Sequence, residues 1–233
     1  LYPDQSNSSF GFLEDYTYWI EAILSFGAIS EAFNLGKLKD WLEKAEILMH
    51  QTVGLFKDPN LPGYFSSSEE MENPWPIRKK SWYDHAMPSG NSSLLRCFSI
   101  LGEIGSDSAK WCSEYQEALG GYPKLIKQSP DGIGHALCAQ TEQAVGVVEV
   151  NGPIHLIQPV AEKMTNLSHR PVYFTQEKEL SVRINQKKVE IKVSDHQELI
   201  EKLWIEIKAK AFSWRSVYSG NDRLHAPLSP RSH

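Results

Sequence analysis

The 233-residue sequence is poor in cysteine: it has three, and no two form a Cys-x-x-Cys pair. That leaves no disulfide framework and no dithiol motif to read. Cys97, Cys112 and Cys138 each fall in a helical, apolar stretch. We expect three buried thiols in a reducing compartment. Basic blocks are missing too. Lys and Arg total 24 against 29 Asp and Glu, for a net charge of -5, which argues against a nucleic-acid partner. No apolar run approaches the roughly 20 residues that cross a bilayer, and no basic segment leads an apolar one at the start. The expected location is therefore cytoplasmic, with no membrane partner. No Gly-rich phosphate loop and no His/Cys/Asp cluster with ligand spacing occurs, so neither cofactor nor metal is expected. An initiating Met is also lacking, and residues 1–10 read as a loop. We expect the chain to be the C-terminal part of a longer protein.

What is present has the texture of a globular protein, 41% hydrophobic and 23% charged, and long enough to bury a core. Helical spacing first appears over residues 13–29, with Leu13, Tyr16, Trp19, Ile20, Ile23, Leu24 and Phe26 on one face. A turn at 34–36 leads to a second helix over 37–56, with Leu38, Trp41, Leu42, Ala45, Leu48, Met49, Val53 and Phe56 inward. Residues 57–87 lose the period and collect prolines. Their aromatics, Tyr64, Phe65, Trp75, Trp82 and Tyr83, predict a packed functional loop rather than disorder. A second helix pair follows, over 89–104 and from Ser106, which can cap its helix, to about 119. A further helix covers 134–144. Both pairs place a Trp early in the second helix, Trp41 and Trp111, which suggests a repeating hairpin architecture.

After 144 the texture changes. Residues 145–150 and 171–174 read as strands, 154–167 as a helix, and 180–184 with 189–193 as a hairpin. Ser194, with Gln197 three residues on, predicts the cap of a last helix carrying Leu199, Ile200, Leu203 and Ile207. The chain thus divides into a helical part over 1–144, a small α/β appendage over 145–211, and a disordered tail over 212–233.

Two segments at helix starts carry the chemistry: Gly11-Phe12-Leu13-Glu14-Asp15-Tyr16, and Asp84-His85-Ala86-Met87-Pro88-Ser89-Gly90-Asn91-Ser92. Carboxylates and amides at helix starts suit a polyol, whose hydroxyls need many directional hydrogen bonds. Asp15 is either a helix cap or a pocket carboxylate. Ser89 and Asn91 either bind a ligand or cap the helix and pin the long loop. Arg78 either pairs with Asp84 or takes an anionic group. Asp15 and Asp84 are the candidate catalytic pair for glycosidase-type chemistry, which sets two carboxylates across a bond. Glu14, Tyr16, Arg78, His85, Ser89 and Asn91 are the candidate ligand contacts. His135, on a predicted helix, reads as structural.

With Gly63-Tyr64-Phe65 and Arg78-Lys79-Lys80 between them, these two segments resemble the YyaL or spermatogenesis-associated protein 20 family. There a Gly-hydrophobic-Leu-acidic-Asp-Tyr segment, a Gly-aromatic-Phe segment, a basic pair and an Asp-Gly-Ala-x-Pro-Ser-Gly-Asn-Ser segment follow in the same order. The similarity covers about residues 10–145 and weakens toward 205. His85 stands where the family has Gly, Thr17 where it has Ala, and 182–193 holds no Cys. The resemblance implies a mainly α fold, part of an (α/α)6 toroid of the six-hairpin glycosidase type, with the small C-terminal α/β appendage. It also implies an N-terminal thioredoxin-like domain and earlier barrel hairpins, and a sugar-like small molecule as ligand. A non-catalytic module serving the thioredoxin-like domain, and a truncated relic, are the competing readings.

Overall fold

A computed structural model describes residues 11–69, 77–167, 172–193 and 195–218. The fold is mainly helical, with one small sheet. The helices are α1 (Leu13–Ser30), α2 (Leu38–Phe56), α3 (Gly90–Ile104), α4 (Ser108–Leu119), α5 (Pro123–Gln128), α6 (Gly134–Val145), α7 (Ile154–Leu167) and α8 (His196–Tyr218). A 3-10 turn over Pro130–Ile133 leads into α6. The strands are β1 (Val148–Gly152), β2 (Val172–Gln176), β3 (Ser181–Ile184) and β4 (Lys187–Val189).

α1 pairs with α2 and α3 with α4, while α1, α3 and α6 pack side by side through α3. α3 is the centre of the helical part. Every residue of it except Arg96 is buried, polar ones included, because it has helices on several sides rather than one apolar stripe. Close approach between neighbours is set by glycine. A Cβ on Gly27 would lie 2.9 Å from the Cβ of Trp41, and one on Gly90 would lie 2.7 Å from the Leu13 side chain. The turn between α1 and α2 uses left-handed backbone at Asn34 (φ 56°) and Gly36 (φ 116°), as the turn residues predict.

The sheet order is β2-β1-β3-β4, with β1 parallel to β2 across the α7 crossover and antiparallel to β3. β3 and β4 form a hairpin with Ile184 opposite Lys187. Its turn residues, Asn185 and Gln186, both have positive φ (51° and 60°), as a two-residue turn matching strand twist requires. That tight turn moves the second strand forward to 187–189, ahead of the expected 189–193. The two cores interlock. Val147 and Tyr173 belong to the helical core, while Ala32 and Phe33 from the turn after α1 pack with the sheet's core of Val148, Val150, Phe174 and Leu203.

Several expectations change. Trp19 and Phe26 are 68% and 38% exposed; the buried face of α1 is Leu13, Thr17, Ile20, Leu24, Gly27 and Ala28. Small residues, not the largest ones, face the neighbouring helices. Ser106 does not cap α4. Its hydroxyl donates to Glu46 at 2.6 Å, and the helix begins after Asp107. Cys97 and Cys112 are buried, but Cys138 is exposed, on the outer side of α6. α5 was not foreseen. Its six residues carry a Pro at the first position but too few apolar residues to show a period. The last helix runs on to Tyr218, since no Pro or Gly interrupts 211–218; residues 219–233 lie outside the described residues. So does Ser194, and Asp195 instead accepts the Glu198 N–H at 3.0 Å at that helix start.

Candidate functional site

Asp84 gathers two helix starts. One carboxylate oxygen accepts the Ser89 N–H and the other the His135 N–H, each at 2.8 Å. Its own N–H donates to the Gly132 carbonyl at 2.8 Å. The beginnings of α3 and α6 are thereby fixed together by a loop carboxylate. Ser89 then caps α3, its Oγ accepting the Ser92 N–H at 3.1 Å. α1 joins them because the Tyr18 hydroxyl donates to the Pro88 carbonyl.

Around this junction lies a cluster of titratable groups. His135 Nε2 meets Glu21 Oε1 at 2.9 Å. Arg96 Nη1 lies 3.7 Å from the same oxygen, and Arg96 Nε pairs with Glu142 at 2.8 Å. Ser93 Oγ reaches the other Glu21 oxygen at 3.5 Å. The four charged or ring side chains come from α1, α3 and α6 and are 14–23% exposed. Burial, then the negative charge of Glu14, Glu21, Asp84 and Asp15, raises the pKa of Tyr18. All four carboxylates therefore act on one hydroxyl. Burial lowers the pKa of Arg96, but Glu142 and Glu21 outweigh it and hold the guanidinium more firmly charged. Deeper in, the Tyr173 hydroxyl is buried with no hydrogen-bond partner among the described residues. Its pKa is driven up by that burial, against the lowering effect of the Arg96 charge.

The predicted site residues divide. Asp15 is exposed and its carboxylate accepts the Phe12 N–H at 2.8 Å, closing the first turn of α1. Glu14 is half-buried beside it, within the field felt by Tyr18. Tyr16 packs edge-on against Phe56, 5.3 Å between ring centres, in the helical core. Asn91 is buried and pins the loop. It accepts the Tyr64 N–H at 2.8 Å and donates to the Tyr64 and Ser81 carbonyls, each at 2.9 Å. Arg78 does not pair with Asp84. It donates to the Ser67 and Leu55 carbonyls, pairs with Glu69 at 3.1 Å, and lies 4.1 Å over the Phe65 ring. His85 is exposed, with its N–H on the Met87 carbonyl at 3.0 Å. Thus Asp15, Glu14 and Asp84 share one region, whereas Tyr16, Arg78 and Asn91 hold the fold. Trp75 lies outside the described residues.

Sequence reasoning missed Tyr18, Glu21, Arg96 and Glu142. They sit within helices, where no motif marks them. A signal was nonetheless present: Arg96 is the one Arg within the apolar period of α3, and Glu21 occupies an inward position of α1. Cavities of about 360 Å³, lined by Pro159, Lys163, His196 and Ile200, and about 200 Å³, beside Glu31 and Gln176, lie elsewhere. Among the described residues no helix is long and apolar enough to cross a membrane.

No protein-family model matches the chain. Curated relatives do. The chain is 36% identical over 104 residues to mouse (Mus musculus) spermatogenesis-associated protein 20, covering 42% of this chain and 12% of that protein. To the rat (Rattus norvegicus) protein of the same name it is 35% identical over 158 residues, 64% of this chain and 19% of the relative. The human (Homo sapiens) protein is 34% identical over 96 residues, 40% of this chain and 12% of the relative. Over these segments the chain is similar to spermatogenesis-associated protein 20 of three species. It spans less than a fifth of the length of these relatives. In this chain, the junction at Asp84 gives the segment from Asp84 to Ser92 a structural account. Asp84 ties the helix starts, Ser89 caps, Gly90 admits Leu13, and Asn91 holds the loop.

Proposed function

We propose that the junction of α1, α3 and α6 is one wall of a pocket for a sugar-type polyol, in a family protein whose other segments complete it. The observation that carries this reading is the meeting of α1, α3 and α6 at Asp84 and Tyr18, with His135 2.9 Å from Glu21 and the charges of Glu14, Asp15, Glu21 and Asp84 all acting on Tyr18. Carboxylates and a phenol at half-buried positions, with exposed Asp15 beside them, supply directional acceptors for ligand hydroxyls. One turn from Asp15 on α1 stands exposed Trp19, a flat apolar face suited to the C–H side of a sugar ring. The proposal extends to a closed (α/α)6 ring, with α1–α2 and α3–α4 as two of its hairpins, and to an N-terminal thioredoxin-like domain in the longer protein. Three free cysteines suit a reducing, cytoplasmic setting.

Binding is favoured over hydrolysis by Asp15 and Asp84 as a pair. Each is engaged by backbone N–H groups, which suits positioning and negative potential better than proton transfer. Titration calorimetry with neutral hexoses and disaccharides tests the pocket. Saturable binding is expected, weakened about fivefold by Tyr18→Phe, the value of one neutral hydrogen bond. Absence of binding by every sugar, both to this chain and to the full-length family protein, would sink the reading.

A further inference from the structure

The Glu21–His135 pair has a chemical consequence that a simple brace between two helices would not have. A carboxylate only accepts hydrogen bonds, so the 2.9 Å contact from Nε2 requires the proton on that nitrogen. In the neutral ring, Nδ1 is then left bare, with a lone pair. Among the described residues no hydrogen bond reaches Nδ1, and the side chain is 23% exposed. The arrangement is held from several sides. Asp84 fixes the His135 backbone. Arg96 stands beside the Glu21 oxygen that faces the ring, and is itself held by Glu142. A carboxylate on one ring nitrogen fixes the tautomer and orients the imidazole.

We propose that His135 is the proton acceptor of this site, its Nδ1 left open and aimed by the Glu21 contact on Nε2. The assignment rests on the polyol pocket proposed above. In such a pocket Nδ1 accepts the hydrogen bond of a ligand hydroxyl. In proton transfer from that hydroxyl, the O–H bond breaks with its electron pair left on the oxygen, an N–H bond forms at Nδ1, and the imidazolium charge is met by Glu21. The nearby charge also selects. The charges of Glu14, Asp15, Glu21 and Asp84 all act on Tyr18, and Arg96, which faces Glu21, is already paired with Glu142. A neutral or amino sugar fits this field, whereas a sugar acid or phosphate is repelled.

The test is carbethoxylation of the intact chain by diethyl pyrocarbonate, read histidine by histidine by peptide mass spectrometry, with exposed His85 and His155 as internal references. Modification of His135 is expected in the wild type. In Glu21→Gln it should slow about tenfold, the size of one charge-assisted hydrogen bond, with the references unchanged. A brace alone gives the opposite sign, because freeing the ring exposes it; an unchanged or faster rate overturns the assignment. Imidazole 15N shifts of the wild-type chain in alkaline buffer give a second measurement that needs no variant. A bare Nδ1 at His135 is expected, and a proton there overturns the assignment. Protection of His135 by neutral hexoses, and not by hexose phosphates, then reports on the pocket. Glu21-dependent reactivity with no protection by any sugar would retain the His135 assignment while removing the polyol reading.

Discussion

At the scale of single residues, the polar groups of this protein are chiefly fasteners of loops to helix ends. Asn91 is the clearest case. Its three hydrogen bonds hold both main-chain groups of Tyr64 and the carbonyl of Ser81. Asn91→Ala removes an acceptor and two donors from buried partners. It should cost about 2–3 kcal/mol in urea unfolding. Asn91→Asp keeps the acceptor and should still lose stability, because the carboxylate faces two carbonyls. Glu46 carries a pH dependence. Burial pushes its pKa up, but hydrogen bonds from Ser106, Trp111 and Asp107 outweigh that, and the net shift is downward from 4.5. A depressed carboxyl contributes stability that is fully present above the unfolded value and is lost as pH falls through the folded one. Glu46→Gln should therefore flatten the acid side of the stability profile below about pH 4.5, measured by urea midpoints from pH 7 to 3. An acid limb as steep as that of the wild type would refute this account.

At the scale of elements, the helices were legible because their periods are long and their ends punctuated. α1, α2, α3 and α6 fall within a residue or so of the expected bounds. Which face is buried was less legible. Hydrophobicity placed Trp19 and Phe26 inward, but close helix packing selects small residues such as Gly27 and Ala28. The site followed the same division. Asp84, Ser89 and Asn91 were visible as a motif, and their hydrogen bonds give that motif a largely structural meaning. Glu21, Arg96 and His135 were not visible as a group, since they are 39 to 114 positions apart and meet only after three helices pack. The cap of α3 is the element-level test. Ser89→Ala deletes the acceptor for the Ser92 N–H and should cost about 1 kcal/mol. Ser89→Thr, which keeps the oxygen, should recover most of it. Equal losses for both would mean that the cap contributes little and that Asp84 alone sets the helix start.

At the scale of the whole molecule, the question is whether the helical part and the sheet are one cooperative unit. Two buried carboxylates join them. Glu103 on α3 accepts the Val147 N–H just ahead of β1 at 2.8 Å. Glu31, after α1, takes the Gln176 N–H of β2 at 3.1 Å as well as the Leu38 N–H and the Lys37 ammonium. Apolar packing runs the same way, since Tyr173 fills the helical core while Ala32 fills that of the sheet. Neither core is closed without a residue from the other. Such interlocking predicts a single thermal transition, followed equally by helix ellipticity and by Trp emission. Glu103→Ala strands a buried N–H at the seam and should cost about 2 kcal/mol, lowering Tm by about 4–8 °C. Because the seam is shared, both signals should move together. If instead the sheet melted first in this variant while the helices kept the wild-type midpoint, the two parts would be separately stable. The α/β appendage would then be a domain docked on the helices, rather than a completion of their core.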